Sequence, residues 1–185
     1  MSPQAPAAID RDNPWPGLAS YEEAAHAFFA GRNAEIAELT RRIVDEPLTV
    51  LFGKSGLGKS SLLKAGAFPE LRRRGLLPVP VRLLFGADAP DALEQLAKAL
   101  FEVFGSERIE HPQPASGEPL WDYLHRAELR FWTPKVRPVQ PVFVLDQFEE
   151  VFTLGRRAGT GDMLRDRLAD LAENRIPARL AERAE

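Results

Sequence analysis

Residues 53–60 read GKSGLGKS, and no other stretch of the chain limits its fold as tightly. An apolar, partly β-branched run, LTVLF (48–52), enters it, and a helical pattern that begins SLLKAG (61–66) leaves it. Glycines at 53, 56 and 58 permit backbone angles that side chains disfavour. Successive N–H groups can then turn to one side and form a nest for oxyanions. The spacing G-x-x-x-x-G-K-[ST] between a strand and a helix is that of a phosphate-binding loop, to which the helix adds the positive end of its dipole. In such a loop Gly53, Lys54, Ser55, Gly56, Leu57 and Gly58 form the wall. Lys59 reaches the β- and γ-phosphates, Ser60 ligates Mg²⁺, and Ser61 lies near the α-phosphate.

A Mg²⁺–nucleotide site also needs a carboxylate at the end of a nearby strand, and PVFVLDQFEE (141–150) supplies one. Asp146 ends an apolar run, at the carboxyl end of an expected strand, where open α/β sheets bind ligands. There it would hold Mg²⁺ through water. Glu149 and Glu150 follow within a turn, and one of them could orient or deprotonate an attacking water. The blander readings are a helix N-cap for Asp146 and first-turn dipole charge for the glutamates. No [NT]-K-x-D element for reading guanine is present, so ATP or ADP is the expected ligand.

The remaining chain alternates helical and extended patterns. Ile36, Leu39 and Ile43 share a helical face that Pro47 stops, and a second helix starts at Ser60 and is expected to end or kink at Pro69. PVPVRLLF (78–85) reads as a strand that Pro80 places at an edge. Helices are expected over 91–104, with Leu93, Leu96, Leu100 and Phe104 on one face, over 120–132, and around Leu164, Leu168 and Leu171. This order implies an α/β fold with a mostly parallel sheet. A net charge of −3 excludes no fold but gives no reason to expect a nucleic-acid partner; the basic clusters at 70–75 and 154–159 read as helix-end charge. Without cysteine there is neither a disulfide nor a thiolate metal site, and His26, His111 and His125 are scattered. No apolar run approaches the roughly 20 residues of a membrane span. The N-terminal segment lacks the pattern of a signal peptide, so a cytoplasmic location is expected.

Taken together, NPWPGLASYEEAAHAFFAGRNAEIAEL (13–39), GKSGLGKSSLLKAG (53–66) and VFVLDQFEEVFTL (142–154) resemble the novel STAND NTPases, the multidomain signal-transduction ATPases of bacterial regulation and defence. The resemblance implies a three-layer P-loop NTPase sandwich over residues 13–185, behind a disordered tail at 1–12. It implies that Phe29, Gly31 and Arg32, with Glu35, lie against adenine, and that Asp146, Glu149 and Glu150 form a Walker B element. Asn33 departs from the commoner acidic residue of that element. Family members continue into a sensor strand, a helical or winged-helix region and repeats, which this sequence does not include, so a sheet short of strands is expected. The resemblance implies a nucleotide switch whose partners are other domains of a larger signalling protein or further copies of itself. Hydrolysis is expected to be slow in the intact protein and weak or absent in this chain, with Lys59, Glu149 and Glu150 as its catalytic groups.

Three other readings compete with the switch. Lys54 coincides with the signature lysine of the deviant Walker A partition-type ATPases, although Ser55 stands where those proteins carry glycine. A catalytic P-loop enzyme such as a kinase would need an acceptor site, which the sequence does not show. A non-hydrolysing interaction module could hold nucleotide as a structural ligand.

Overall fold

The computed structural model describes residues 9–86, 88–155 and 161–177. The chain divides between Arg74 and Gly75 into two compact units, each with its own apolar cluster. Of the expectations above, the tail at 1–8 and Arg156 and Arg157 of the second basic cluster lie outside the described residues.

The first unit is helical. A 3-10 helix, Glu23–Phe28, precedes α1 (Asn33–Asp45), whose Leu39 is buried beside Leu62 and Ala67 while Ile36 and Ile43 pack at the rim. On the solvent face Glu38 pairs with Arg41 and Arg42, and Arg41 with Asp45, at the three- and four-residue spacings worth a few tenths of a kcal/mol each. The two arginines hold the Glu38 carboxyl down at about 2. The helix closes where the Glu46 N–H donates to the Arg42 carbonyl, just before Pro47.

From Lys59 one helical run continues to Arg73, as α2 (Lys59–Ser61), a π-helical stretch (Leu62–Ala67) and α3 (Phe68–Arg73). The break expected at Pro69 does not occur. The Phe68 N–H donates five residues back to Leu63, and this wider turn clears the path of the proline ring. Pro69, the second residue of α3, offers no N–H to the preceding turn, and the widened π-turn accommodates that gap.

Residues 48–52, expected as a buried strand, are not one. They pair with no described strand, and Leu48, Val50 and Phe52 are 66%, 72% and 87% exposed. Leu51 turns inward onto the Leu39 and Leu62 cluster, and Thr49 is half-buried with its hydroxyl oxygen covered. The described residues of this unit contain no other strand, so the backbone groups of 48–52 have no ladder to join.

The second unit holds a three-stranded sheet in the order β1-β3-β2. β1 (Leu76–Val81) pairs parallel with β3 (Pro138–Leu145), and β2 (Phe131–Trp132) pairs antiparallel with the start of β3. The described sheet is therefore mixed, and only β1 and β3 follow the parallel expectation. β1 occupies an edge, as its prolines require. Gly75 and Val81 accept hydrogen bonds from Gln140 and Asp146, so odd-numbered residues direct their polar groups at β3. The missing donors of Pro78 and Pro80 consequently face away from the ladder. The strand stops at Val81, short of the expected Phe85.

After β1, α4 (Ala92–Glu107) starts where the Asp91 carboxylate accepts the Leu93 N–H at 2.9 Å, an N-cap. Its Leu96, Leu100 and Phe104 are buried against Leu77, Val79 and Val81. At about 1.5–3 kcal/mol per fully buried large apolar side chain, this face is the main stabiliser of the unit. Tyr123, Phe131 and Leu164 belong to the same cluster, and burial pushes the Tyr123 phenol up to about 12.

The helix expected over 120–132 is only α5 (Leu120–Leu124). Glu128 takes a left-handed conformation (φ 64°), Arg126 turns back to Glu118, and Phe131 and Trp132 form β2 against Val139 and Pro138. Strand pairing and the aromatic contact between Phe131 and Phe104 outweigh the local helical pattern here. β3 is followed by a π-helical turn, Val151–Gly155, and by α6 (Gly161–Ala172), from which Leu164 enters the core.

Candidate functional site

The glycine-rich loop lies in the first unit. Gly56 and Gly58 have φ of 81° and 73°, left-handed conformations that cost other L-residues about 1–2 kcal/mol. The Lys59 side chain folds back so that Nζ donates to the carbonyls of Gly53 and Lys54 at 2.8 and 3.2 Å. Its ammonium thus sits on the loop's own backbone. The first helical bond, from the Leu62 N–H to the Gly58 carbonyl, starts the helix immediately behind it. Lys54, Ser55, Gly56 and Leu57 are exposed, and Ser60 is half-buried. Ser61 is buried, and its Oγ accepts the Tyr21 N–H at 3.1 Å.

The segment ahead of α1 is fastened to the same helix. Lys64 pairs with Glu22 and Arg72 with Glu23, at 2.9 and 2.6 Å. The rings of Tyr21 and Phe29 stand 5.5 Å apart. At Gly66 an added Cβ would come 2.7 Å from Ile36 Cγ1 and 3.4 Å from Phe29 Cε1, so only glycine lets α1 approach this closely. Gly31 (φ 83°) turns the chain from Phe29 into α1. Arg32, at the start of α1, donates from Nη1 to the Leu57 carbonyl at 2.9 Å and from Nε to Glu35 at 3.1 Å. The Glu35 carboxyl is held below its usual range by its own backbone N–H and by Arg32. Of the residues expected against adenine, Arg32 therefore meets the loop directly, and Phe29 stands beside Tyr21.

The acidic residues lie in the second unit. Asp146 directly follows β3, and its N–H makes the last rung to Val81 at 3.0 Å. Its Oδ1 accepts the Gln147 N–H at 3.0 Å, and Gln147 is left-handed (φ 56°). That turn carries the chain into a helical turn in which the Glu150 N–H donates to the Gln147 carbonyl. Glu149 is exposed, whereas Glu150 is half-buried and accepts from Arg82 Nη2 at 3.2 Å. Sequence reasoning overlooked both Arg82 and Tyr21. A polar residue at the carboxyl end of a strand is a signal that could have pointed to Arg82; the Tyr21 contact is made by backbone and leaves no trace in residue type.

Among the described residues no three His, Asp or Glu side chains converge as a metal centre, and no helix is long and apolar enough to cross a membrane. Ser60 and Asp146, the residues expected at Mg²⁺, belong to different units. A serine hydroxyl and an aspartate carboxylate are each oxygen donors of the kind a hard cation such as Mg²⁺ takes.

A family model described as Novel STAND NTPase 1 matches residues 14–185. Neither the curated proteins nor the solved structures yield a significant match.

Proposed function

The chain belongs to the Novel STAND NTPase 1 family, and from that premise we propose that it is the Mg²⁺-dependent ATP/ADP-binding switch of a signalling or defence protein, built on a three-layer P-loop sandwich. The loop conformation carries the reading. Gly56 and Gly58 are left-handed, and the Lys59 ammonium is parked on the Gly53 and Lys54 carbonyls. Left-handed glycines let consecutive N–H groups face one anion, and a lysine on carbonyl oxygens can exchange those neutral acceptors for charged phosphate oxygens.

In this reading Gly53 to Ser61 cradle the phosphate chain, and Lys59 bonds its β- and γ-oxygens. Ser60 and Asp146 hold Mg²⁺, which supplies charge neutralisation to the phosphates. Glu149 or Glu150 accepts the proton of an attacking water, and Phe29, Gly31 and Arg32 border the base. A switch requires the triphosphate to favour one state by several kcal/mol, about 5.5 for a near-complete reversal of populations. Domain rearrangement or self-association in the cytoplasm is the readout of that difference.

The test is limited proteolysis of the chain with ADP and with Mg²⁺–ATP. Distinct protection patterns for the two nucleotides support a switch, and identical patterns with the site saturated by each nucleotide contradict it. GTP that displaces bound ATP as well as ATP itself would remove the adenine assignment.

A further inference from the structure

The peptide joining Leu57 to Gly58 is held from outside the loop. A trans peptide points its C=O and N–H in opposite directions, and the chain contains no described cis bond. The Leu57 carbonyl accepts from Arg32 Nη1 at 2.9 Å, so the Gly58 N–H faces away from Arg32. Arg32 is itself held through Nε by Glu35. Gly58 itself lies against this guanidinium: a Cβ added there would stand 3.5 Å from the same Nη1, in ordinary van der Waals contact.

We infer that Arg32 is a positioning residue of the phosphate nest: by fixing the Leu57 carbonyl outward it aims the Gly58 N–H at the oxygens of the ligand, with Glu35 fixing Arg32 in turn. Glycine accepts either sign of φ, so an unrestrained Leu57–Gly58 peptide can turn over. The turned peptide presents a carbonyl oxygen, an acceptor, where an anion requires a donor. This action is on the phosphate side of the ligand and is distinct from a contact with the base. The inference rests on the loop being a phosphate site, as proposed above.

Inorganic tripolyphosphate, which carries no base, is the probe. Calorimetry with the full chain and Mg²⁺ should show wild type binding both ATP and tripolyphosphate, and Arg32→Ala weakening both by about tenfold or more, the size of a lost hydrogen bond from a charged group. Glu35→Ala separates a clasp from a direct charge contact. If Arg32 acts through Leu57, releasing it from Glu35 weakens tripolyphosphate binding; if Arg32 reaches the phosphates itself, removing the nearby carboxylate tightens it. Weakening in both variants, with melting temperatures near wild type, supports the inference. Should Arg32→Ala fail to fold, the sign of the Glu35→Ala effect decides alone. Tripolyphosphate binding that is unchanged in Arg32→Ala, or tighter in Glu35→Ala, overturns the inference and leaves the phosphate reading intact. A wild-type chain that binds neither ATP nor tripolyphosphate overturns both.

Discussion

Arg82 Nη2 lies 3.2 Å from Glu150 Oε1, whereas Glu149, one residue earlier, is exposed and its carboxylate has no partner among the described residues. The two adjacent acids are thus unequal. Glu150 is half-buried, with one oxygen turned to a guanidinium that follows β1.

A base must offer a lone pair to the attacking water, and among the described residues Glu149 is the carboxylate of the two with neither oxygen in a hydrogen bond or ion pair. In the intact protein Glu149→Gln should lower kcat for ATP hydrolysis by about a hundredfold or more, in the range of general-base contributions. Glu150→Gln should leave kcat within severalfold. Phosphate-release assays check this, and the reverse order of effects contradicts it.

Gly66 marks the closest approach of α1 to the helical run behind the loop. Gly66→Ala places a methyl group 2.7 Å from Ile36 Cγ1 and should destabilise the first unit by about 1–3 kcal/mol, the usual cost of overpacking. Trimming the obstacle with Ile36→Ala in the same chain should recover part of the loss. Urea unfolding of the single and double variants measures it; additive destabilisation contradicts the contact.

Burial pushes Tyr123 from an ordinary value of 10.0 up to about 12. The folded state therefore binds this proton more tightly than the unfolded state. The stability it contributes is fully present below about pH 10 and is lost as pH rises from there through about 12. Tyr123→Phe should abolish this alkaline loss in thermal melts recorded across that range. An unchanged pH profile in the variant contradicts the assignment.

The parts of the fold legible in the sequence were those in which local pattern and packing agree. Leu96, Leu100 and Phe104 announced α4, and Pro80 announced the edge position of β1. The pattern misled where a distant partner decided the outcome. Residues 120–132 carry a helical period, yet Phe131 and Trp132 pair with β3; residues 48–52 read as a strand, yet no described strand meets them. Pro69 misled because a π-turn absorbs it, and no simple periodicity encodes a π-turn. At the site the glycine spacing marked the loop itself. The contacts that secure it, Arg32 to the Leu57 carbonyl and Tyr21 N–H to Ser61, use backbone atoms and so were illegible from residue types.

The proposed switch requires the loop at 53–61 to grip a nucleotide's phosphates through Lys59. Calorimetry of Mg²⁺–ATP binding to the full chain, beside Lys59→Ala, tests it most directly. Wild type should give saturable binding, and the variant should bind roughly a hundredfold more weakly, the ~3 kcal/mol of a charge-assisted contact. Equal affinity in the two proteins, or no binding heat in either, would show that the loop does not hold phosphate through Lys59.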